Sequence, residues 1–201
     1  MRLVDRVLLA VTVSLAACAS ASHALPPPVE VPLDATRSGW AEARIGEGVT
    51  EVFRSLSERG AAGLRALRLR PAEVAELFND AGRARIERSV AGLTPSPHER
   101  RWRLLSQQRG AQVLGWCARG VRVAEAEGVE GFRNRTLFVE RVLIVGADGP
   151  DRWGAWVEGL VLTSVGWRML PWVTFEDAVE APRRDHTDLG LWDCDLARRS
   201  W

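Results

Sequence analysis

Residues Leu137 to Phe175 most constrain what this chain can fold into, because they spell successive β-strands joined by tight turns. LFVERVLIVG is followed by ADGPD, then RWGAWVEGLVLTS, VGW and RMLPWVTF. Strand side chains alternate faces. From Leu137 to Val145, strict alternation puts Leu137, Val139, Arg141, Leu143 and Val145 on one face. Phe138, Glu140, Val142 and Ile144 fall on the other. In the next strand Trp156, Glu158, Leu160 and Leu162 oppose Ala155, Val157, Val161, Thr163 and Val165. Asp148-Gly149-Pro150 is turn chemistry, since Gly accepts positive φ and Pro cannot continue a ladder. Gly166 marks a hairpin. Pro171 makes the last strand an edge strand or a bulged one.

Upstream of the meander the periodicity is helical. Ile45, Val49, Val52, Phe53 and Leu56 form one apolar stripe within a helix spanning Gly39 to Arg59, and Gly60 stops it. A linking segment covers Leu64 to Arg70. Pro71 opens a second helix at its first position, burying Val74, Leu77, Phe78 and Ala81. Gly82 is the expected break, with Ile86, Val90 and Leu93 continuing beyond it. Ser96-Pro97-His98-Glu99 is spelled like a capping box and starts a short third helix through Gln108. A strand over Ala111 to Ala124 and a loop over Glu125 to Arg135 lead into the meander. Helices followed by about four antiparallel strands make an α+β pattern. This element order resembles the NTF2-like and cystatin-like architectures. That resemblance implies a curved antiparallel sheet wrapped around N-terminal helices, in a class that mostly binds small molecules or proteins.

The first 17 residues carry Arg2 and Arg6, then an apolar run from Val7 to Ala17, as a secretory signal does. The run is too short to span a bilayer. Leu15-Ala16-Ala17-Cys18 resembles the lipobox of bacterial lipoproteins. That resemblance implies cleavage before Cys18, lipidation of Cys18 and, with Ala19 rather than Asp following, retention at the outer membrane. The alternative is ordinary signal-peptidase cleavage at Ala19-Ser20-Ala21 or Ser22-His23-Ala24, giving a soluble periplasmic or secreted protein. Residues 18–38, with Pro26-Pro27-Pro28 and Pro32, form an extended tether. Residues 39–201 form the α+β domain, of which 176–201 is a polar tail.

Several chemistries are excluded or unsupported. All 27 basic residues are Arg, so Schiff-base catalysis by Lys, pyridoxal phosphate chemistry included, is ruled out. No Gly-rich phosphate loop and no Gly-x-Ser-x-Gly elbow is spelled, so no cofactor is expected. Without Arg2, Arg6 and Asp5 the remaining charges balance, which argues against nucleic acid as a partner. Arg54 to Arg109 holds 12 Arg against 6 acids, a bias that solvated helix faces explain. The densest polar cluster is the tail, where His186 neighbours Asp185 and Asp188. These are candidate polar site residues, but their spacing matches no metal-ligand signature, and no metal is expected. The three cysteines leave Cys117 and Cys194 as a pair if Cys18 carries lipid. In an oxidising compartment they are expected to bridge, closing a long loop worth roughly 4 kcal/mol. Nine Trp are present, seven of them from Trp116 onward. They form either a packed core or the lining of a pocket. The expected function is a lipid-anchored envelope protein whose domain binds a protein or small ligand without catalysis. The competing expectation is a small periplasmic hydrolase or isomerase with a Trp-lined pocket.

Overall fold

Ile45, Val49 and Val52 are fully buried on one stripe of a 20-residue helix, α1 (Trp40–Arg59), which lies against a sheet. The computed structural model describes residues 25–59, 61–91, 112–170 and 194–199. The helices are α1, α2 (Ala61–Ala66), α3 (Pro71–Leu77) and α4 (Asp80–Ala91). The strands are β1 (Gln112–Ala124), β2 (Thr136–Asp148), β3 (Asp151–Thr163), β4 (Gly166–Met169) and β5 (Leu196–Arg199). All neighbours are antiparallel, in the order β4-β3-β2-β1-β5. The class is α+β, with five strands where about four were expected.

The α1–sheet contact is close because α1 presents two glycines to two indoles. A Cβ on Gly48 would lie 2.4 Å from the Trp167 ring, and one on Gly46 would lie 3.4 Å from Trp116 Nε1. Trp167 Nε1 donates to the Arg44 carbonyl at 3.0 Å, and Phe53 stacks on Trp153 with centroids 5.7 Å apart. Trp116, Trp153 and Trp167 are therefore core side chains packed under α1.

Strict alternation fails in the middle of three strands at once. Leu137 and Val139 face α1, but so do Val142 and Ile144. In β3, Trp153, Ala155 and Val157 share that face with Leu160 and Leu162, and in β1 Trp116 and Ala118 precede Val121. One extra residue per strand explains the switch: Gly120, Glu140 and Gly159. The pairing runs Arg119↔Arg141 then Val121↔Val139, and Arg141↔Glu158 then Val139↔Leu160, so the three extra residues sit in one row across the sheet. Because each strand carries one, the register is the same on both sides of the row; the register shift between β1 and β2 lies instead between Val113 and Gly115. Gly120 and Gly159 have φ +61° and +66°, which L side chains rarely adopt, and the Glu140 side chain fills the space above Gly120. The face assignments expected for Leu137 to Val145 and for Ala155 to Val165 thus each hold on only one side of the row.

The opposite face of the sheet is divided by the same row. On one side Phe138, Val161 and Ala124 pack with Leu77, Phe78 and Ile86 of the α3–α4 region. On the other lie Cys117, Leu143, Val145 and Trp156. Along the row, Arg141 pairs with Glu158, and the guanidinium groups of Arg119 and Arg141 each lie 5.0 Å from the Trp156 ring centroid. Arg119 and Arg141 are directly opposed like charges, which the indole face and Glu158 offset.

The second helix also departs from expectation. It breaks at Phe78, which is extended (φ −117°, ψ 141°), and not at Gly82. Asn79 then caps α4, its Oδ1 accepting from Gly82 N–H at 2.9 Å, so Gly82 lies inside α4. α2 replaces part of the expected link. The third helix over Ser96 to Gln108 and the tail residues 176–193 lie outside the described residues, as do the side chains of Leu56 and Val90. The end of the tail is not loose: Leu196–Arg199 adds to the β1 edge at Gly115–Ala118.

Candidate functional site

The connection from β1 to β2, residues 125–135, is the most heavily braced loop among the described residues. The brace begins with the broken helix. Because Phe78 is extended, it can pair with Phe132 as an antiparallel bridge, the two rings 4.6 Å apart. Arg133 donates its backbone N–H to the Leu77 carbonyl at 2.7 Å and its Nε to the Phe78 carbonyl at 2.8 Å. Asn79 donates backbone N–H to the Gly131 carbonyl and Nδ2 to Glu127 Oε2, both at 2.8 Å. Inside the loop, Glu127 N–H donates to the Phe132 carbonyl at 2.7 Å and Gly131 N–H to the Gly128 carbonyl at 2.9 Å. Glu127 is held at φ +56°, a conformation that costs a non-glycine residue on the order of 1–3 kcal/mol and persists only where surroundings impose it.

At the apex of this loop Val129 is 88% exposed, and Arg85 Nη2 donates to its carbonyl at 3.2 Å. Leu33, 89% exposed, lies at the same end of the sheet, where Arg135 Nη2 donates to its carbonyl at 3.1 Å. The loop carboxylates are engaged: Glu127 with Asn79, Glu125 with Arg135 at 3.5 Å, and Glu130 with Arg122 at 3.4 Å. Such an arrangement holds a shape and displays an apolar apex. It poises no base against a nucleophile.

The chain matches no known family model, no curated protein and no solved structure.

The other concentration of charge is buried. Glu73, at the first turn of α3, is fully buried and accepts from Arg70 N–H at 2.8 Å, Arg70 Nε at 3.0 Å, Arg70 Nη2 at 2.7 Å and Arg168 Nε at 3.0 Å. Burial pushes its carboxyl up. The Arg70 hydrogen bonds, with the charge and hydrogen bond of Arg168, outweigh burial and hold it below the usual carboxylate range. A carboxylate kept ionised and saturated with donors cannot exchange a proton near neutral pH. It joins α3 to β4, where Arg168 also donates to the Trp167 and Val165 carbonyls.

Of the residues singled out from sequence, Cys117 and Cys194 are brought together, their Cα atoms 5.7 Å apart, within the span a disulfide requires. Cys18, Asp185, His186 and Asp188 lie outside the described residues. Among the described residues no three His, Cys, Asp or Glu side chains gather as a metal site would require, and no helix is long and apolar enough to cross a membrane. The loop site itself was missed from sequence. Its signals were Asn79-Asp80, a helix start that interrupts an apolar stripe, and Val129 alone among Glu and Gly.

Proposed function

We propose that this chain is an exported envelope protein, lipid-anchored through Cys18, whose α+β domain binds a partner through its β1–β2 loop without catalysis. The observation that carries the reading is Val129, exposed at the apex of a loop fixed on both flanks by the α3–α4 break. Glu127 at positive φ and the network of backbone bonds hold the apex in one shape, with Val129 displayed on it. A loop already ordered loses little conformational freedom on binding, which is how rigid scaffolds present recognition loops. The lipobox-like Leu15-Ala16-Ala17-Cys18 and Pro26-Pro27-Pro28 support a domain held off a membrane surface, although the expected tether is shorter than residues 18–38, since Val29 packs against the core and Val31 and Ala35 are buried.

The test is site-specific photo-crosslinking in the native host, with the photoreactive residue at Val129 or, as control, at Pro150 in the exposed β2–β3 turn. A discrete adduct from Val129 and none from Pro150 is expected. No adduct from Val129, or the same adducts from both positions, refutes the loop reading. Cys18→Ala should abolish acyl labelling and release the protein from the membrane fraction; a variant still acylated and membrane-bound refutes the anchor.

A further inference from the structure

We propose that β5 is a redox-releasable strap over the β1 edge. The proposal stands on the Cys117–Cys194 pairing and is independent of the loop reading. β5 is four residues long and, among the described residues, pairs only with Gly115–Ala118. Among those residues its non-covalent hold is small. Asp195 N–H donates to the Ala118 carbonyl and Asp195 Oδ2 accepts from Val121 N–H, both at 2.9 Å, while the Asp195 and Ala197 side chains are exposed. Leu196 contributes partial burial against the core beneath α1.

The two sulfurs are not equivalent. Cys117 is fully buried beside Leu143, Val145 and Trp156, whereas Cys194 is half-exposed. An incoming thiolate of a dithiol reductant therefore reaches Cys194 Sγ. It forms a mixed disulfide there and expels Cys117 as thiolate. The second thiol of the reductant then attacks its own mixed-disulfide sulfur and releases Cys194. The reductant leaves as a disulfide, its two electrons and two protons now on the two cysteine thiols. With the bond gone, β5 is held by one short edge ladder, and such elements open at the low end of the local stability range. Release leaves the outward N–H and C=O groups of Gly115 to Ala118 unpaired, a strand edge able to accept another strand.

The test is hydrogen exchange on the purified, exported full-length protein before and after dithiothreitol, with thiol titration in parallel. Reduction should raise exchange at the β1 amides that face β5, Trp116 and Ala118, and at the β5 amides that face β1 by at least about tenfold, with Val142–Val145 unchanged and protection restored on reoxidation. The Cys194→Ser variant, which leaves the buried Cys117 in place, should show the released pattern without reductant. Three results overturn the proposal: two free thiols before reduction, unchanged protection once both thiols are free, or loss of protection throughout β2 and β3.

Discussion

Removing the Glu73 carboxylate should destabilise the protein far more than removing Arg70. Among the described residues, Glu73→Leu leaves the Arg168 guanidinium with the Trp167 and Val165 carbonyls, in a side chain 10% exposed. An uncompensated buried charge of this kind costs about 3–5 kcal/mol. Arg70 is 61% exposed, so its loss costs only what a surface pair and a part of a cap contribute, about 1 kcal/mol. Replacing both members of the buried pair, Glu73→Leu with Arg168→Leu, removes the orphaned charge and should recover most of the loss. The assay is urea unfolding of wild type, both single variants and the double variant, at neutral pH and at acid pH. The sign of the pH effect follows from the folded state holding the Glu73 carboxyl below its ordinary value. Its contribution is complete above the unfolded carboxyl pKa, about 4.3, and is lost as pH falls through the lower folded value. Wild type should lose stability on acidification by more than Glu73→Leu does. If Glu73→Leu lies within about 1 kcal/mol of wild type, or the two single losses simply add in the double variant, the buried latch reasoning is wrong.

Three further outcomes are expected. Gly48→Ala drives a Cβ to 2.4 Å from the Trp167 ring and should cost about 1–3 kcal/mol by overpacking, measured by thermal unfolding; a stabilised variant would contradict the close α1–sheet contact. Asn79→Ala removes the α4 cap and the bond to Glu127, so it should lose about 1–2 kcal/mol and raise hydrogen exchange across Glu125–Phe132, an effect that a cap-only role would not produce. Deleting Gly159 should turn Leu160 and Leu162 away from the core beneath α1, at about 1.5–3 kcal/mol per side chain; a near-wild-type urea midpoint would rule out Gly159 as the residue that switches faces.

The strands, the Asp148–Asp151 turn and α1 were legible because period-two and helical apolar patterns carry them directly. The edge position of β4 was legible in Pro171. Three features were not, each for a physical reason. Arg141, Leu143 and Val145 continue the alternation of Leu137 and Val139 by spacing alone, so Glu140 gives no sign that it shifts the faces of β2. Gly120 and Gly159 were visible as strand glycines, but only pairing shows that they share a row. Phe78 fits the helical stripe by spacing, yet its partner is Phe132, 54 positions away, and the Asn79 cap overrides local periodicity. β5 is one Leu and one Ala before two Arg; non-local pairing and the nearby Cys194 place it, and no propensity does. The loop site inherits this limit, since Val129 matters through a brace assembled from α3, α4 and β1.

The row of Gly120, Glu140 and Gly159 also fixes how this sheet can change over time. Each of the three strands counts its residues in two phases, and the phase boundary runs straight across the backbone ladder. A lineage that loses a residue from one strand alone puts that strand out of step with its neighbours. Intermediates with one or two of the three losses are the unstable ones. Chains descended from a common ancestor should therefore keep all three inserted positions or have lost them together, so that gap placement in β1, β2 and β3 varies as one character.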